Sequence, residues 1–424
     1  MSAQNEQAME GAPDASVPVR AGRRFGDEEI RSILQRGGAG QGVGSVVLFA
    51  ALFFVLTACQ PASPSEAQAR EQVPAQEAIP VADFAALVER ISEPGGYFDT
   101  DNLISNESGY LNVVRALRGR GTTGGAYIGV GPDQNFSYIA AVRPEIAFIT
   151  DIRRDNMLHH LLLKALLERS ETRVEFLALL HGVAPPAEPG AWREASVERI
   201  VAWVDSAWTG RGPNHEGWLV NLQEDLLASI AAYGVPLAED DLETIERFHS
   251  AFVRSGLGLR FTSFGRAPRA YYPTYRQLVL ETDVAGDRAS YLATREAYAV
   301  VRALQLANRI IPVVGDLAGA TAVREIGTVM REMDLELSAF YTSNVEYYLW
   351  RDRTFQGWVD NVQSLPSADD AVVIRSYFPS FGREHPSAVL GYHATQSLQP
   401  VATLAAGDFA GYWEVVTRDA LPLR

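Results

Sequence analysis

Residues 124–156 read GGAYIGVGPDQNFSYIAAVRPEIAFITDIRRDN. The apolar run that starts at Ala126 predicts a buried β-strand, and residues 146–150 (IAFIT) predict a second one. Gly129 and Gly131 bracket a predicted tight turn after the first strand, where glycine lets the backbone approach a ligand closely. The order of strand, glycine turn, helix and strand indicates a nucleotide-binding α/β unit.

A proline marks the predicted start of the helix in this unit, and an acidic residue marks the end of its second strand. Pro132 suits the first position of the helix, because the N–H that proline lacks has no partner there. The second strand ends at Asp151, 20 residues after Gly131, which is the spacing at which an acid reaches the ribose hydroxyls of a bound nucleotide. Two alternatives are open at this point: the turn binds no ligand, or Asp151 pairs with Arg153 or Arg154.

The residues that follow the turn bear on the kind of nucleotide. A dinucleotide places its pyrophosphate on the helix N-terminus, yet Gln134 stands where the third glycine of GxGxxG would be. Asp133 adds a negative charge where phosphates would lie, and like charges repel strongly in a partly desolvated site. S-adenosylmethionine has no phosphate and carries a cationic sulfonium, so we expect it to suit the turn better than a nicotinamide dinucleotide.

Further strands are predicted beyond a long helical stretch. Helical spacing fills residues 156–308, including a helix from about Arg288 to Leu306, and strand patterns follow at 309–314, 335–341 and 371–377. Strands that alternate with helices predict a mainly parallel sheet. The predicted fold is therefore α/β and Rossmann-like, with a large helical insertion between the second and third strands.

The order of these elements resembles that of the class I S-adenosylmethionine-dependent methyltransferases. Residues 129–131 (GVG) are similar to the glycine motif of that family, and Asp151 stands at its ribose-binding acid. Asp316, after the third strand, stands where the family contacts adenine. Asn344, after the fourth strand, resembles the residue that lines the methyl-transfer pocket. The resemblance implies a methyltransferase-type sheet and S-adenosylmethionine as the cofactor.

This resemblance covers about 95–160 and 305–424 and leaves the helical stretch between them unexplained. The segments ISEPGGYFDTDNLISNE and GVGPDQNFSYIA also resemble a bacterial family with that fold, for which no activity is established. The methyltransferases often close a lid over the cofactor before the first strand, where Asn102, Asn106 and Tyr110 stand, although turn or capping roles are equally open. The candidate cofactor-binding residues are Gly129, Gly131, Asp133, Asp151, Asp316 and Asn106.

The resemblance also implies in-line transfer of a methyl group, which relies mostly on alignment and desolvation. A base is needed only for hydroxyl, amine or thiol acceptors. Asn344 and Glu346 are the candidate catalytic residues, and Asp99 and His385 are further candidates for a base. Because each ionisable candidate also suits a surface or capping role, the methyl acceptor stays open.

The composition limits the partners. A formal net charge of −15 argues against a nucleic-acid-binding protein, which usually presents a basic face. Residues 265–277 (GRAPRAYYPTYRQ) suit either a phosphorylated or aromatic small-molecule ligand or a solvated loop. The histidines are scattered, no HExxH motif is present and the only cysteine is Cys59, so we predict no metal and no internal disulfide.

The N-terminal region has the pattern of an export signal. Residues 43–58 form an uncharged apolar run that is short for a spanning helix and suits a signal peptide. The run ends in LTAC (56–59), which resembles the lipobox of bacterial lipoproteins and implies lipidation of Cys59. A short membrane anchor or a buried segment is the alternative. The implied partner is the membrane, through a lipid anchor.

The predicted organisation and location follow from these patterns. The segments are a disordered leader (1–42), a lipoprotein signal (43–59), a flexible tether (60–80), the first part of the Rossmann-like domain (81–156), a helical insertion (157–305) and the second part of that domain (306–424). The expected location is the bacterial cell envelope, or the cytoplasm if the leader reflects a misassigned start codon or the signal is not used.

Two functions are consistent with the sequence. The first is an S-adenosylmethionine-dependent methyltransferase with an unknown acceptor. The second is a non-catalytic, lipid-anchored envelope protein that keeps the fold and binds a small molecule. The second is motivated by location, because an exported lipoprotein works where S-adenosylmethionine is not expected. The oligomeric state is not indicated by the sequence.

Overall fold

A computed structural model describes residues 77–212, 215–265 and 269–423. The predicted leader, the signal segment with Cys59 and most of the predicted tether lie outside the described residues, as does Arg266. The described chain is a mixed α/β structure built around one six-stranded sheet. Among the described residues, none of the helices combines the length and the apolar character needed to cross a membrane.

The sheet has the strand order β3-β2-β1-β4-β5-β6. The strands are β1 Ala126–Val130, β2 Ile146–Asp151, β3 Ile310–Val314, β4 Leu337–Ser343, β5 Ser367–Tyr377 and β6 Thr395–Pro400. Strands β1 to β5 are parallel, and β6 is antiparallel to β5. Doubly wound sheets with this order bind ligands outside the carboxyl ends of their strands, where the order reverses. Here that point lies between β1 and β4.

Fifteen α-helices are present in the described residues. They are α1 Val81–Ile91, α2 Val114–Arg120, α3 Gln134–Val142, α4 Arg154–Glu168, α5 Arg173–Leu180, α6 Val197–Thr209, α7 His215–Ala231, α8 Glu239–Ser255, α9 Tyr275–Val279, α10 Arg295–Leu306, α11 Ala322–Glu332, α12 Val345–Arg351, α13 Phe355–Gln363, α14 Val401–Ala406 and α15 Tyr412–Thr417. Helices α4 to α10 lie between β2 and β3, where the sequence predicted a helical stretch.

The prediction of a mainly parallel sheet is confirmed, and two element predictions need correction. Strand β6 was not predicted because its sequence, TQSLQP, lacks the apolar pattern of a strand. Its polar side chains are buried against other polar groups instead. The helix predicted from Arg288 begins only at Arg295, because the side chain of Thr294 accepts the N–H of Ala297 and caps the helix there.

Helix α4 connects the sheet to the helices that follow. Twelve of its 15 residues are buried, so it is an interior helix rather than a surface one. It packs against β2 and β3 on one side and against α7, α8 and α10 on the other. Helix α4 thereby attaches the other helices between β2 and β3 to the sheet.

Candidate functional site

A cavity of about 580 Å³ opens at the carboxyl ends of the parallel strands. Its wall contains one predicted site residue from each of four strand ends, namely Gly131 after β1, Asp151 in β2, Asp316 after β3 and Asn344 after β4. Residues of the segment 97–107, before β1, also line it, as do Phe261, Ser263, Arg269, Tyr271 and Tyr272, between α8 and α9. Small-molecule sites usually measure roughly 300–1,000 Å³, so the cavity has the size of a cofactor site.

The structure separates the predicted site residues into two groups. Those on the cavity are Gly131, Asp151, Asp316, Asn106 and Asn344, together with Asp99 and Asn102. Those away from its wall are Gly129, Asp133, Glu346, Tyr110 and His385. The second group is explained by the local contacts of each residue.

The glycine turn is held by hydrogen bonds from the side chain of Asn135. Its Nδ2 donates to the carbonyls of Val130 and Pro132, each at 2.8 Å, and its Oδ1 accepts the hydroxyl of Tyr127 at 2.8 Å. A Cβ on Gly129 would lie 1.9 Å from Asn135 Oδ1. Gly129 is therefore required by the packing of Asn135 and not by the approach of a ligand.

Gly129→Ala is expected to lower the free energy of unfolding by about 3 kcal/mol, since the added methyl group overpacks a buried polar site. Urea unfolding measures the change. Gly217→Ala is the matched control, because Gly217 lies in α7 with no atom within 4 Å of its added Cβ. The free energy of unfolding of the control should rise by about 0.5–1 kcal/mol, because alanine is favoured over glycine inside a helix. Equal stability changes for the two substitutions would contradict the role given to Asn135.

The position of Pro132 differs from the prediction. Helix α3 begins at Gln134, and Pro132 precedes its N-cap, Asp133. The N–H groups of Asn135 and Phe136 already donate to the carbonyls of Pro132 and Asp133. The first turn of α3 therefore uses amide groups that would otherwise be available to a pyrophosphate.

Asp133 does not place its charge at the cavity, contrary to the prediction. Its carboxyl is buried, and its Oδ2 accepts the hydroxyls of Tyr275 at 2.8 Å and Tyr291 at 3.0 Å. Burial raises the pKa of Asp133 to about 6. The argument that this residue repels phosphates is therefore wrong, because its side chain points into the protein.

Asp151 combines the two roles that the sequence left open. It lines the cavity, and it also forms an ion pair with the buried Arg153, which donates to both carboxylate oxygens. Arg153 Nη1 donates in turn to the carbonyl of Thr100, in the segment before β1. Arg154 pairs with Asp241 instead. The Asp151–Arg153 pair thus fixes that segment over the ends of β2 and β3.

Glu346 does not line the cavity. Its carboxylate is 1% exposed and pairs with Arg375, which is equally buried. Trp358 Nε1 donates to Glu346 Oε1 at 3.0 Å. His385 is also buried in a structural contact, with its Nε2 2.9 Å from the carbonyl of Val416. Neither residue is placed to act as a base in the cavity.

The stretch 265–277 divides between several environments. Tyr271 and Tyr272 line the cavity with Arg269, whereas Tyr275 binds Asp133. Arg276 forms an ion pair with Asp205 and is not on the cavity wall. The part of this stretch that lines the cavity therefore supplies mainly aromatic surface.

Backbone strain marks the cavity as well. Asn102 and Ser343 both line it with positive φ angles, of 50° and 52°, which residues with a Cβ rarely adopt. Such conformations are retained where the surrounding structure fixes them, and they are frequent at binding sites. The two residues stand on opposite sides of the switch point, before β1 and at the end of β4.

Sequence reasoning missed Glu107, although it follows the predicted Asn106 directly. Glu107 is buried in the wall of the cavity and accepts hydrogen bonds from side chains of β4, β5 and β6. The signal that could have identified it was the unusual acid in the polar run SNESGY (105–110). In the described ranges, no group of three or more His, Cys, Asp and Glu side chains is placed to hold a metal ion.

A comparison with protein families adds a relationship but no activity. The model of a family described as a domain of unknown function, DUF7790, matches residues 103–211 and 238–408. The chain belongs to this family. The matched segments contain all six strands of the sheet. No curated protein matches the sequence significantly.

Four histidines of this DUF7790 chain are buried in the segment between β2 and β3. They are His159, His160, His181 and His249. Burial lowers the pKa of His160, His181 and His249 to about 4, and it lowers that of His159 well below the usual 6.5. They are therefore neutral in the folded protein at neutral pH.

The free energy of unfolding is expected to fall as the pH falls from about 6.5 to 4. Each of the four buried histidines takes up a proton on unfolding in this range, because its folded pKa is depressed. Asp133 and Glu107 act in the opposite sense, because burial raises their pKa and they release protons on unfolding. The four histidines outnumber the two acids, so the unfolded protein binds more protons, and a net uptake of even one proton gives a slope of about 1.4 kcal/mol per pH unit. Urea unfolding at pH 7, 6 and 5 measures it, and equal stability at pH 5 and 7 would contradict it.

Proposed function

We propose that the cavity binds S-adenosylmethionine and that the protein is a methyltransferase with a small-molecule acceptor. The observation that carries the proposal is that Gly131, Asp151, Asp316 and Asn344, from four strand ends, line one cavity. These are positions that the resemblance to class I methyltransferases implies. The finer description of the sheet as Rossmann-like and of methyltransferase type belongs to this proposal.

The charges of the cavity wall support a cationic cofactor. Five acids line it, namely Asp99, Glu107, Asp151, Asp316 and Asp352, against the three arginines Arg153, Arg269 and Arg351. The formal excess of two negative charges disfavours the pyrophosphate of a dinucleotide and favours a ligand that carries a sulfonium and an ammonium. This argument replaces the one that the sequence placed on Asp133.

The residues present fit the parts of the cofactor. Asp151 retains acceptor capacity for a ribose hydroxyl, because a carboxylate has about four acceptor positions and three donor groups of Arg153 bind it. Asp316 lies at the end of β3, where its Oδ1 accepts the N–H of Ala318. When bound, S-adenosylmethionine supplies a methyl group on a positively charged sulfur.

The chain itself provides alignment and exclusion of water. Phe98, before β1, contacts the ring of Tyr348 in α12 edge to face at 5.4 Å, so these two parts of the cavity wall touch each other. The ion pair of Asp151 and Arg153 holds the same segment through the carbonyl of Thr100, two residues after Phe98. Alignment and desolvation are the effects on which methyl transfer depends most.

Isothermal titration of the full chain with S-adenosylmethionine and with NAD tests the proposal. We expect S-adenosylmethionine to bind at least tenfold more tightly than NAD, because the wall carries excess negative charge. Tighter binding of NAD would support a dinucleotide site and contradict the proposal. Absence of binding at millimolar S-adenosylmethionine, with the protein folded, would also contradict it.

One observation favours the non-catalytic alternative. Glu346 and His385, two candidates for a base, make structural contacts away from the cavity. A lipid-anchored binding protein needs no base. Mass spectrometry of the mature N-terminus in cells tests this alternative, because a diacylglycerol on Cys59 would place the protein in the envelope. The lipid anchor and the location stay predictions.

A further inference from the structure

The buried carboxyl of Glu107 has an unusual set of partners. Its Oε2 accepts the hydroxyls of Tyr341, at 2.6 Å, and Ser376, and the amide of Gln396 at 3.2 Å. Its Oε1 accepts the hydroxyl of Ser343. All four donors are neutral, and within the described part of the chain no arginine, lysine or histidine bonds to Glu107.

Two other acids of the cavity wall differ from Glu107 in this respect. Asp151 pairs with Arg153, and the exposed Asp352 pairs with Arg351. Glu107 is 1% exposed, and a buried carboxylate without a cation is costly. Burial raises the pKa of Glu107, and the four hydrogen bonds oppose that rise. The carboxyl is thus held in a position where a positive charge from a ligand would stabilise it.

A second, independent group points to the same ligand chemistry. Gln134 is 6% exposed, lines the cavity, and donates through Nε2 to the hydroxyl of Tyr341 at 3.2 Å. Its Oε1 is buried and has no hydrogen-bond partner. Because Tyr341 bonds to both Gln134 and Glu107, an unpartnered amide oxygen and an unpaired carboxylate lie on the same part of the wall. An amide oxygen without a donor, beside a carboxylate without a cationic partner, matches a cationic group that donates hydrogen bonds.

We propose that Glu107 and Gln134 form a subsite for the protonated primary amine of the methyl acceptor. The side chains that bind Glu107 belong to β4, β5 and β6, whereas Asp151 and Asp316 stand at the ends of β2 and β3. The subsite therefore lies across the switch point from the predicted adenosine positions. The aromatic rings of Tyr271 and Phe378 line the cavity too and suit the apolar part of an amine. The inference rests on the proposed function for the identity of the other ligand.

The subsite also provides for the proton. An ammonium has no lone pair, so it must lose a proton before its nitrogen acts as a nucleophile. One N–H bond of the ligand breaks, the electron pair stays on nitrogen, and the proton forms an O–H bond on the carboxylate of Glu107. The buried position of this carboxyl brings its proton affinity closer to that of an amine than an exposed glutamate would.

Ligand-observed NMR titrations of the full chain with benzylamine and with benzyl alcohol at pH 7 test the subsite. The two probes have the same shape, and only benzylamine is cationic. We expect benzylamine to bind at least tenfold more tightly than benzyl alcohol. Glu107→Gln should remove this preference, and it should lower the affinity for S-adenosylmethionine by a smaller factor than the affinity for benzylamine. Equal affinities of the two probes for the unmodified protein would overturn the inference.

Two further variants protect the test against loss of folding. Gln134→Leu leaves Glu107 in place. It should lower the affinity for benzylamine about threefold and leave the affinity for benzyl alcohol unchanged. Asp133→Asn is the matched control, because Asp133 is a buried carboxyl bound by two tyrosines away from the cavity wall, and it should leave benzylamine binding unchanged.

The outcomes separate this inference from the proposed function. If Glu107→Gln weakens S-adenosylmethionine as much as benzylamine, the cation at the subsite is the ammonium of the cofactor, and the assignment to the acceptor is overturned. If benzylamine binds through Glu107 but S-adenosylmethionine does not bind at all, the amine subsite is supported and the proposed cofactor is wrong.

Discussion

Glu346→Leu is expected to lower the free energy of unfolding by about 3–5 kcal/mol, the usual effect of removing one partner of a buried ion pair. Both Glu346 and Arg375 are 1% exposed. Arg375 Nη1 already has no hydrogen-bond partner, so loss of the carboxylate would leave the guanidinium charge almost uncompensated. Urea unfolding at pH 7 measures the change, with the m-value as a check on two-state behaviour.

The double variant Glu346→Leu/Arg375→Met is the matched control. It removes both charges, and it should recover most of the lost stability because buried ion pairs are often replaced by apolar residues at little cost. A catalytic role of Glu346 predicts a different result. In that case Glu346→Leu would retain stability and lose activity, which would contradict the structural role.

Asp151→Asn is expected to raise the dissociation constant of S-adenosylmethionine by about 10–100-fold, since a hydrogen bond to a charged group contributes roughly 1.5–3 kcal/mol. The substitution keeps the shape of the side chain, but it removes the charge that pairs with Arg153. The segment held through Thr100 should loosen at the same time. Isothermal titration measures the affinity, and limited proteolysis reports on the segment.

Asp225→Asn provides the control for this substitution. Asp225 lies in α7, is exposed, pairs with Arg169 and does not line the cavity. The substitution Asp225→Asn removes one negative charge from the chain outside the cavity. The affinity for S-adenosylmethionine should therefore stay within twofold of that of the unmodified protein. Equal losses for the two variants would show that the effect comes from net charge and not from Asp151.

Much of the sheet could be predicted from the sequence. Five strands have apolar runs of strand length, and glycines or acids follow them where the chain turns at the carboxyl edge. Because parallel strands bring their carboxyl ends to one edge, Asp151, Asp316 and Asn344 were expected near one another, and the cavity wall contains all three. Local patterns were sufficient for this part of the site.

The directions of individual side chains could not be predicted in the same way. Asp133 occupies the N-cap position of α3, but its carboxyl bonds to Tyr275, more than 100 residues away in the chain, and not to the helix. Glu346 meets Arg375 across 29 residues, and Glu107 meets Gln396 across 289. Such contacts depend on tertiary packing, and β6, which supplies Gln396, lacks a strand pattern. The acid that best fits a role in the cavity was therefore absent from the sequence-based candidates.

The central claim is that the cavity at the carboxyl edge of the sheet holds an adenosyl cofactor. A crystal structure of the full chain with S-adenosylhomocysteine tests this most directly. The account predicts the ribose hydroxyls within hydrogen-bond distance of the Asp151 carboxylate and the adenine beside Asp316. A ligand bound outside the cavity, or a cavity that stays empty at millimolar ligand, would contradict it.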